Sequence, residues 1–203
     1  MNKNNLSNNT RPSLILGSSS PFRRELLERL GVDFTTESPE IDEVRRKDES
    51  ADQLVERLSL EKAKAVAKKY DNALIIGSDQ VAVIGTEILG KPKSVQKAQE
   101  QLTMASGRYV TFLTGLCLLN SETGDYQSDI VPYSVYFRDL TPDQIKAYVE
   151  KEQPLNCAGS FKSEGLGVAL FRKMEGEDPT ALIGLPLIRL VSMLNIEGIE
   201  ILS

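Results

Sequence analysis

Histidine does not occur anywhere in this chain of 203 residues. Its absence excludes Ser-His-Asp and Cys-His catalysis and every imidazole-based metal site. Chemistry falls instead to carboxylates, lysines, arginines, hydroxyls or a bound cation. Cysteine occurs twice, as Cys117 and Cys157, too few for a disulfide framework or a zinc cluster. Cys117 lies in the apolar run TGLCLLN, where a buried thiol is the default, and the pair reads as reduced and cytoplasmic. No apolar run is long enough to span a membrane. The polar opening MNKNNLSNNTRPS lacks the apolar centre of a signal peptide. A formal net charge of −5 gives no broad positive field for nucleic acid, so any basic site must be local.

What is present is an ordinary globular composition, 40% hydrophobic and 26% charged, with no internal repeat. Residues 1–13 read as a flexible polar tail and 14–203 as a single domain. The pattern predicts a short buried strand over 14–17, a helix over 21–30 closed by Gly31, and an irregular acidic stretch. A helix over 51–69 follows, opened by a Ser50–Gln53 capping box. ALIIGSD reads as a buried strand ending at Asp79, and QVAVIGTEILGKP as two strands around a Gly85-Thr86 turn. A helix over 95–105, two long strands joined by SETGD, a helix begun by Thr141, Pro142 and Gln144, a strand in GVALFRKMEG and a helix over 186–194 complete the chain. Helices and strands mix throughout, so the class is α/β with a mixed sheet.

Two positions break the local rules. In LILGSSSPFRRELLERL, Ser20 is a good N-cap and Pro21 suits the first helical position. Yet Arg23 and Arg24 then fall in the first turn, where the helix dipole disfavours each by about 0.3–1 kcal/mol. An anion held by the helix N–H groups, by the hydroxyls of Ser18 and Ser20 and by guanidinium groups would resolve the conflict. Arg24 has an alternative partner in Glu28, four residues on. Arg23 shares the side of Leu26, Leu27 and Leu30 and has no such outlet. The second anomaly is Lys62, mid-way along the stripe Leu54, Leu58, Ala65 and Val66. It either snorkels past the stripe or meets a polar cleft, and on the stripe alone methionine would be tolerated there.

Weaker signals stand beside these. Asp79 follows a buried strand, where open α/β sheets place ligands, although Asp also forms turns. Lys91 in LGKP reads as a loop lysine or a ligand group. Glu40, Asp42 and Glu43 offer hard oxygen ligands for Mg²⁺ or Mn²⁺, or a solvated face. GSFKSEGLG is a glycine-bracketed loop with Lys162 and Glu164. Phe22 lies beside the proposed cradle, with packing on Leu26 as its alternative role.

The stretches SSSPFRRELL, PEIDE, RLSLEKAKAV, IIGSDQVAV, LGKP, AGSFKSEG and IGLPL, in that order, resemble the Maf family of nucleoside triphosphate pyrophosphatases. SPFRR, SDQV and GSFKSEG are similar to the branch acting on 7-methyl-GTP, which usually has tryptophan where this chain has Phe22. The resemblance implies an ITPase-like elongated mixed sheet with flanking helices, two lobes around a deep cleft, often as a homodimer. It implies hydrolysis of a nucleoside triphosphate to monophosphate and pyrophosphate with a divalent cation, Mg²⁺ or Mn²⁺. Carried over by position, Ser18, Arg23, Lys62 and Lys91 would handle phosphates, with Ser20 and Arg24 added from the helix start as further substrate-binding candidates. Asp79 and Glu43 would serve metal and water, and Phe22, Gln80 and Glu164 would select the base. Asp79 is the family's proton acceptor; surrounding cations favour a carboxylate's ionised form, so metal binding is its other open role. The rival readings are a Maf-type pyrophosphatase for another canonical or modified nucleoside triphosphate, and a regulatory module that binds nucleotide without turnover.

Overall fold

The computed structural model describes residues 11–202. The expected tail lies mostly outside that range, and Ser13, its last residue, already opens a strand. β1 (Ser13–Gly17) leads through Ser18–Ser20 into α1 (Pro21–Glu28), whose N-cap Ser20 accepts the Arg23 N–H, with Pro21 in the first turn. After β2 (Thr35–Thr36) and the irregular acidic stretch comes α2 (Ala51–Ala67), opened by the predicted capping box. β3 (Ala73–Ile84) turns at Gly85, φ 61°, into β4 (Glu87–Leu89). Then follow α3 (Val95–Ala105), β5 (Tyr109–Asn120), β6 (Tyr126–Phe137) and α4 (Pro142–Glu152). β7 (Phe171–Gly176), α5 (Pro179–Ile183) and α6 (Leu187–Ile196) end the order.

Two expectations are corrected, and one helix is found that the pattern did not predict. β3 does not end at Asp79; β5 pairs along it from Leu74↔Asn120 to Val83↔Thr111, and that ladder carries the backbone straight through the turn-like Gly77-Ser78-Asp79. The first half of GVALFRKMEG is a 3-10 turn, Leu166–Leu170, rather than strand. α5 has no apolar period long enough to announce it; it exists because Asp178 caps it from the Thr180 N–H.

The sheet runs β2-β1-β3-β5-β6-β7, with β4 also on β3. β2–β1–β3 is parallel and the rest antiparallel. Because β5 covers one edge of β3, β1 and β4 must share the other. β1 pairs up to Gly17↔Gly77 and β4 only from Ala82↔Leu89. Residues 78–81 therefore face a gap, about 16 Å from Gly77 to Ala82 at ordinary strand rise. The C-terminal ends of β1 and β4 run toward each other across it.

Alternation along β3 sorts its side chains. Ala73 and Ile75, with Val81 further on, pack under α2. Leu74 and Ile76 join a second core with Leu26, Leu27, Leu190 and Leu194, from α1 and α6. Ala82 and Ile84 enter a third, with Leu102, Val149 and four mutually packed phenylalanines, including Phe112 and Phe161. The gap at 78–81 falls between the second core and the third. Among the described residues no helix is long and apolar enough to cross a membrane.

Candidate functional site

α2 lies unusually close to the sheet where β3 and β5 present Gly77 and Gly115. A Cβ on Gly77 would overlap the Ser59 carbonyl, and one on Gly115, opposite Asp79 in the ladder, would overlap the Val55 carbonyl. This approach drops the buried Lys62 side chain onto the gap. Its ammonium does not snorkel. It contacts Asp79 Oδ1 at 2.6 Å and Glu43 Oε1 at 2.8 Å. The Asp79 side chain is 12% exposed and that of Glu43 58%, so one carboxylate is enclosed and the other open. Burial pushes the Glu43 carboxyl up, but the Lys62 hydrogen bond and the charges of Lys62, Lys91 and Arg23 together hold it below the usual range.

Glu43 sits on irregular backbone that is clamped rather than loose. Arg57 of α2 forks onto Glu49 at 2.6 and 2.9 Å and donates to the Val44 carbonyl at 3.2 Å. Arg45 donates twice to the Glu49 carbonyl, and the Arg46 N–H reaches Glu49 Oε2. The Arg57 hydrogen bonds, against the cost of burial and with help from Arg46, hold the Glu49 carboxyl down to about 2. Of the acidic run only Glu43 reaches Lys62; Glu40 is exposed and Asp42 accepts the Val44 N–H. Nothing in the sequence pattern sets Arg57 and Glu49 apart. Gly115 did carry a signal, as an isolated glycine inside an apolar strand.

From the other side of the gap comes the start of α1. The buried Ser18 Oγ accepts from the Ser20 N–H at 3.2 Å and from Arg23 Nη1 at 3.4 Å. Ser20 Oγ accepts the Arg23 N–H. Both hydroxyl oxygens act as acceptors here, which leaves their O–H groups to donate to an anion. Arg23 Nε donates to the Gly184 carbonyl at 2.8 Å, a carbonyl that also takes Ser78 Oγ. Burial pulls the Arg23 guanidinium below its usual range, opposed by Asp79 and Glu43; it stays a cation.

Lys91 follows β4 into the gap. It is exposed, with no hydrogen bond or ion pair among the described residues, and its charge acts on Glu43. Arg23, Lys62, Lys91, Asp79, Glu43, Ser18 and Ser20 are thus brought together. Arg24 is not: it pairs with Glu28 at 3.0 Å on the open face of α1, where it lines a cavity of about 340 Å³ with Val32, Phe34 and Thr36. A second cavity, of about 510 Å³, lies on that same side of the sheet, against Leu30 and Ile201.

Phe22 is half-buried and is not a member of the four apolar clusters of the described residues. Glu164 is exposed, bonded by the Ser163 hydroxyl at 3.1 Å. Gln80 follows Asp79 in β3. One residue from Asp79 on a strand, it points to the opposite face of the sheet. There its amide nitrogen donates to the carbonyls of Ala181 at 2.7 Å and Leu182 at 3.1 Å, and to Thr114. It holds α5, and with it the Gly184 carbonyl that takes Arg23.

A fold neighbour supports the architecture. The Ham1 protein of Staphylococcus aureus superposes with a TM-score of 0.50 at 16% identity, over 92% of this chain and 98% of its own. Curated relatives lie nearer in sequence. A protein of Pseudomonas savastanoi pv. phaseolicola, named 7-methyl-GTP pyrophosphatase, is 61% identical over 94% of this chain and 99% of its own. Proteins of the same name from Pseudomonas aeruginosa and Colwellia psychrerythraea are 60% and 53% identical, each over 94% of this chain and 99% and 96% of theirs. The family model described as Maf-like protein matches residues 13–197, nearly the whole described chain, and this chain belongs to the Maf family.

Proposed function

We propose that this enzyme hydrolyses 7-methyl-GTP to 7-methyl-GMP and pyrophosphate, by attack of water on the α-phosphorus. One domain, residues 14–203, carries the activity in the cytoplasm, where two free thiols are at home. The names of the close relatives support the substrate. The observation that carries the chemistry is the Lys62 ammonium held between Asp79 and Glu43, facing Arg23 across the gap in β3. A module that merely bound phosphate would have no use for two carboxylates at that point.

The proposed division of labour follows from position. Ser18, Ser20 and the α1 N-terminus grip phosphate oxygens, with Arg23 beside them and Lys91 opposite. Their preset charges stabilise the negative charge that shifts toward pyrophosphate as the P–O bond breaks. Lys62 holds the Glu43 carboxyl ionised and orients both carboxylates through its contacts with Asp79 and Glu43. Two carboxylates sharing one lysine suit a hard cation that keeps further oxygen ligands from water and triphosphate. Asp79 and Glu43 would hold Mg²⁺ or Mn²⁺, which supplies charge neutralisation and a more acidic water when bound. Asp79, enclosed and accepting, is also placed to receive the proton of the attacking water.

Base choice rests on Phe22 and Glu164. An aromatic face attracts the cationic methylated ring by about 0.5–2 kcal/mol, and a carboxylate accepts the guanine N–H groups. Gln80 acts through α5 rather than on the base. A homodimer is the assembly carried by the family resemblance. The test is pyrophosphate release from a panel of canonical and methylated nucleoside triphosphates with Mg²⁺ or Mn²⁺. Preferred turnover of 7-methyl-GTP is expected; binding without release would establish the regulatory module instead.

A further inference from the structure

The two loops assigned to opposite ends of the substrate are tied to one buried side chain. Gln101 lies on the inner face of α3 and is 5% exposed. Its Nε2 donates to the Gly90 carbonyl at 3.1 Å, directly before Lys91. Its Oε1 accepts the hydroxyl of the fully buried Ser160, in the loop that carries Glu164. The amide's orientation follows from chemistry: a backbone carbonyl can only accept, so the nitrogen faces Gly90 and the oxygen is left for Ser160.

Ser160 is fixed for this contact. It holds φ 64° and follows Gly159 at φ 69°, two left-handed residues in succession. Such backbone persists in a non-glycine residue only where surrounding contacts impose it. A Cβ on Gly159 would crowd Phe112 and Ala82, so the backbone of the turn lies close against the phenylalanine core. A second link, the Lys93 N–H on the Leu155 carbonyl at 3.0 Å, joins the same two segments. Beyond Ser160, the Lys162 N–H meets the Tyr148 hydroxyl and Glu152 takes both Lys162 Nζ and the Leu166 N–H. Burial pushes the Cys157 thiol up, Glu164 adds to that, and Lys162 and Lys91 oppose it, so the charges of both loops converge on this one group.

We propose that Gln101 and Ser160 are positioning residues that lock the Lys91 segment and the Glu164 loop into one unit, so that phosphate and base are gripped at a fixed separation. This rests on the functional reading above, in which Lys91 meets phosphate and Glu164 meets base. Loss of the lock leaves both side chains in place but lets their spacing fluctuate, which weakens simultaneous engagement more than the chemical step.

The experiment uses Gln101→Met, which keeps side-chain length in an apolar pocket, and Ser160→Gly, which suits the left-handed backbone and removes only the hydroxymethyl group. Amide hydrogen exchange is followed over residues 90–93 and 159–167 in each folded variant, beside steady-state kinetics on 7-methyl-GTP and GTP. Exchange is expected to accelerate in both segments together in either variant. KM for 7-methyl-GTP should rise about tenfold, the worth of one lost hydrogen-bonded constraint, with kcat within about threefold of wild type and a smaller preference over GTP. Acceleration in one segment only, or in neither, overturns the lock, as does an unchanged KM and preference. The exchange arm needs no substrate. It decides the lock even if the wild-type enzyme spares 7-methyl-GTP, a result that would sink the substrate reading alone.

Discussion

Lys62 is a cation that neutralises two carboxylates of unequal exposure, and single substitutions there have opposite consequences. Asp79→Asn keeps the size of the side chain and leaves Lys62 with Glu43. It should fold with an unchanged melting temperature and lose nearly all turnover, which circular dichroism and pyrophosphate release would check together. Turnover within a few fold of wild type would remove Asp79 from the reaction. Lys62→Met is different. The apolar stripe predicts tolerance, but the structure shows that it strands Asp79 with a buried charge and one hydrogen bond fewer. A stability loss of roughly 1–3 kcal/mol is expected in urea melts, partly recovered in the double variant Lys62→Met/Asp79→Asn. Simple additivity of the two changes would show that the buried pair is not coupled.

At the scale of elements, two devices set the site, and neither touches substrate. The first is the close seat of α2 on the glycines of β3 and β5. Gly115→Ala inserts a methyl against the Val55 carbonyl. It should cost about 1–3 kcal/mol through overpacking, and lower activity because α2 carries Lys62. A thermal melt identical to wild type would show that the helix stands off further than described. The second device is the Arg57–Glu49 clamp on the segment bearing Glu43. Glu49 titrates near 2 in the folded protein, below its ordinary 4.5. A depressed carboxyl stabilises the fold above its unfolded value and loses that contribution as pH falls through the folded one. Stability should therefore drop from about pH 4.5 toward pH 2. In Glu49→Gln, already weaker at neutral pH, that part of the slope should be missing; parallel acid melts for the two proteins would place the titration elsewhere.

For the whole molecule the site is a seam between cores. On β3 the α1–α6 core ends at Ile76 and the phenylalanine core begins at Ala82, so the stretch of β3 left open on one edge lies where neither of these cores fills the space. Among the described residues no group of three or more histidine, cysteine, aspartate or glutamate side chains is arranged to hold a metal ion. On the proposed reading the two carboxylates Asp79 and Glu43 leave most of a hard cation's oxygen ligands to water and triphosphate, so the cation is expected to arrive with the substrate. Chelation should abolish turnover without moving the melting temperature. A non-hydrolysable 7-methyl-GTP analogue at 100 times its Kd should stabilise the fold by about 2.7 kcal/mol, and only with Mg²⁺ or Mn²⁺ present. A melting temperature lowered by chelator alone would make the metal structural.

Helix starts, the Gly85 turn and the α/β class were legible in the chain because each depends on residues within a turn or two of one another. The capping boxes at Ser50 and Thr141 and the Ser20 cap formed as read. Arg23 and Lys62 also declared themselves locally, as charges on apolar faces. Their partners did not. Arg23 bonds a carbonyl 161 residues away and Lys62 a carboxylate 17 residues away, and both depend on which strands pair and in what register. Register alone decides that Asp79 faces α2 while Gln80 faces α5, and that β3 runs on through a sequence that looks like a turn. Arg24 and Arg23 are neighbours of the same kind, yet one finds Glu28 on its own helix and the other finds the seam. Local chemistry proposes such charges, and the long-range packing of the sheet, worth more than any propensity, settles where each one points.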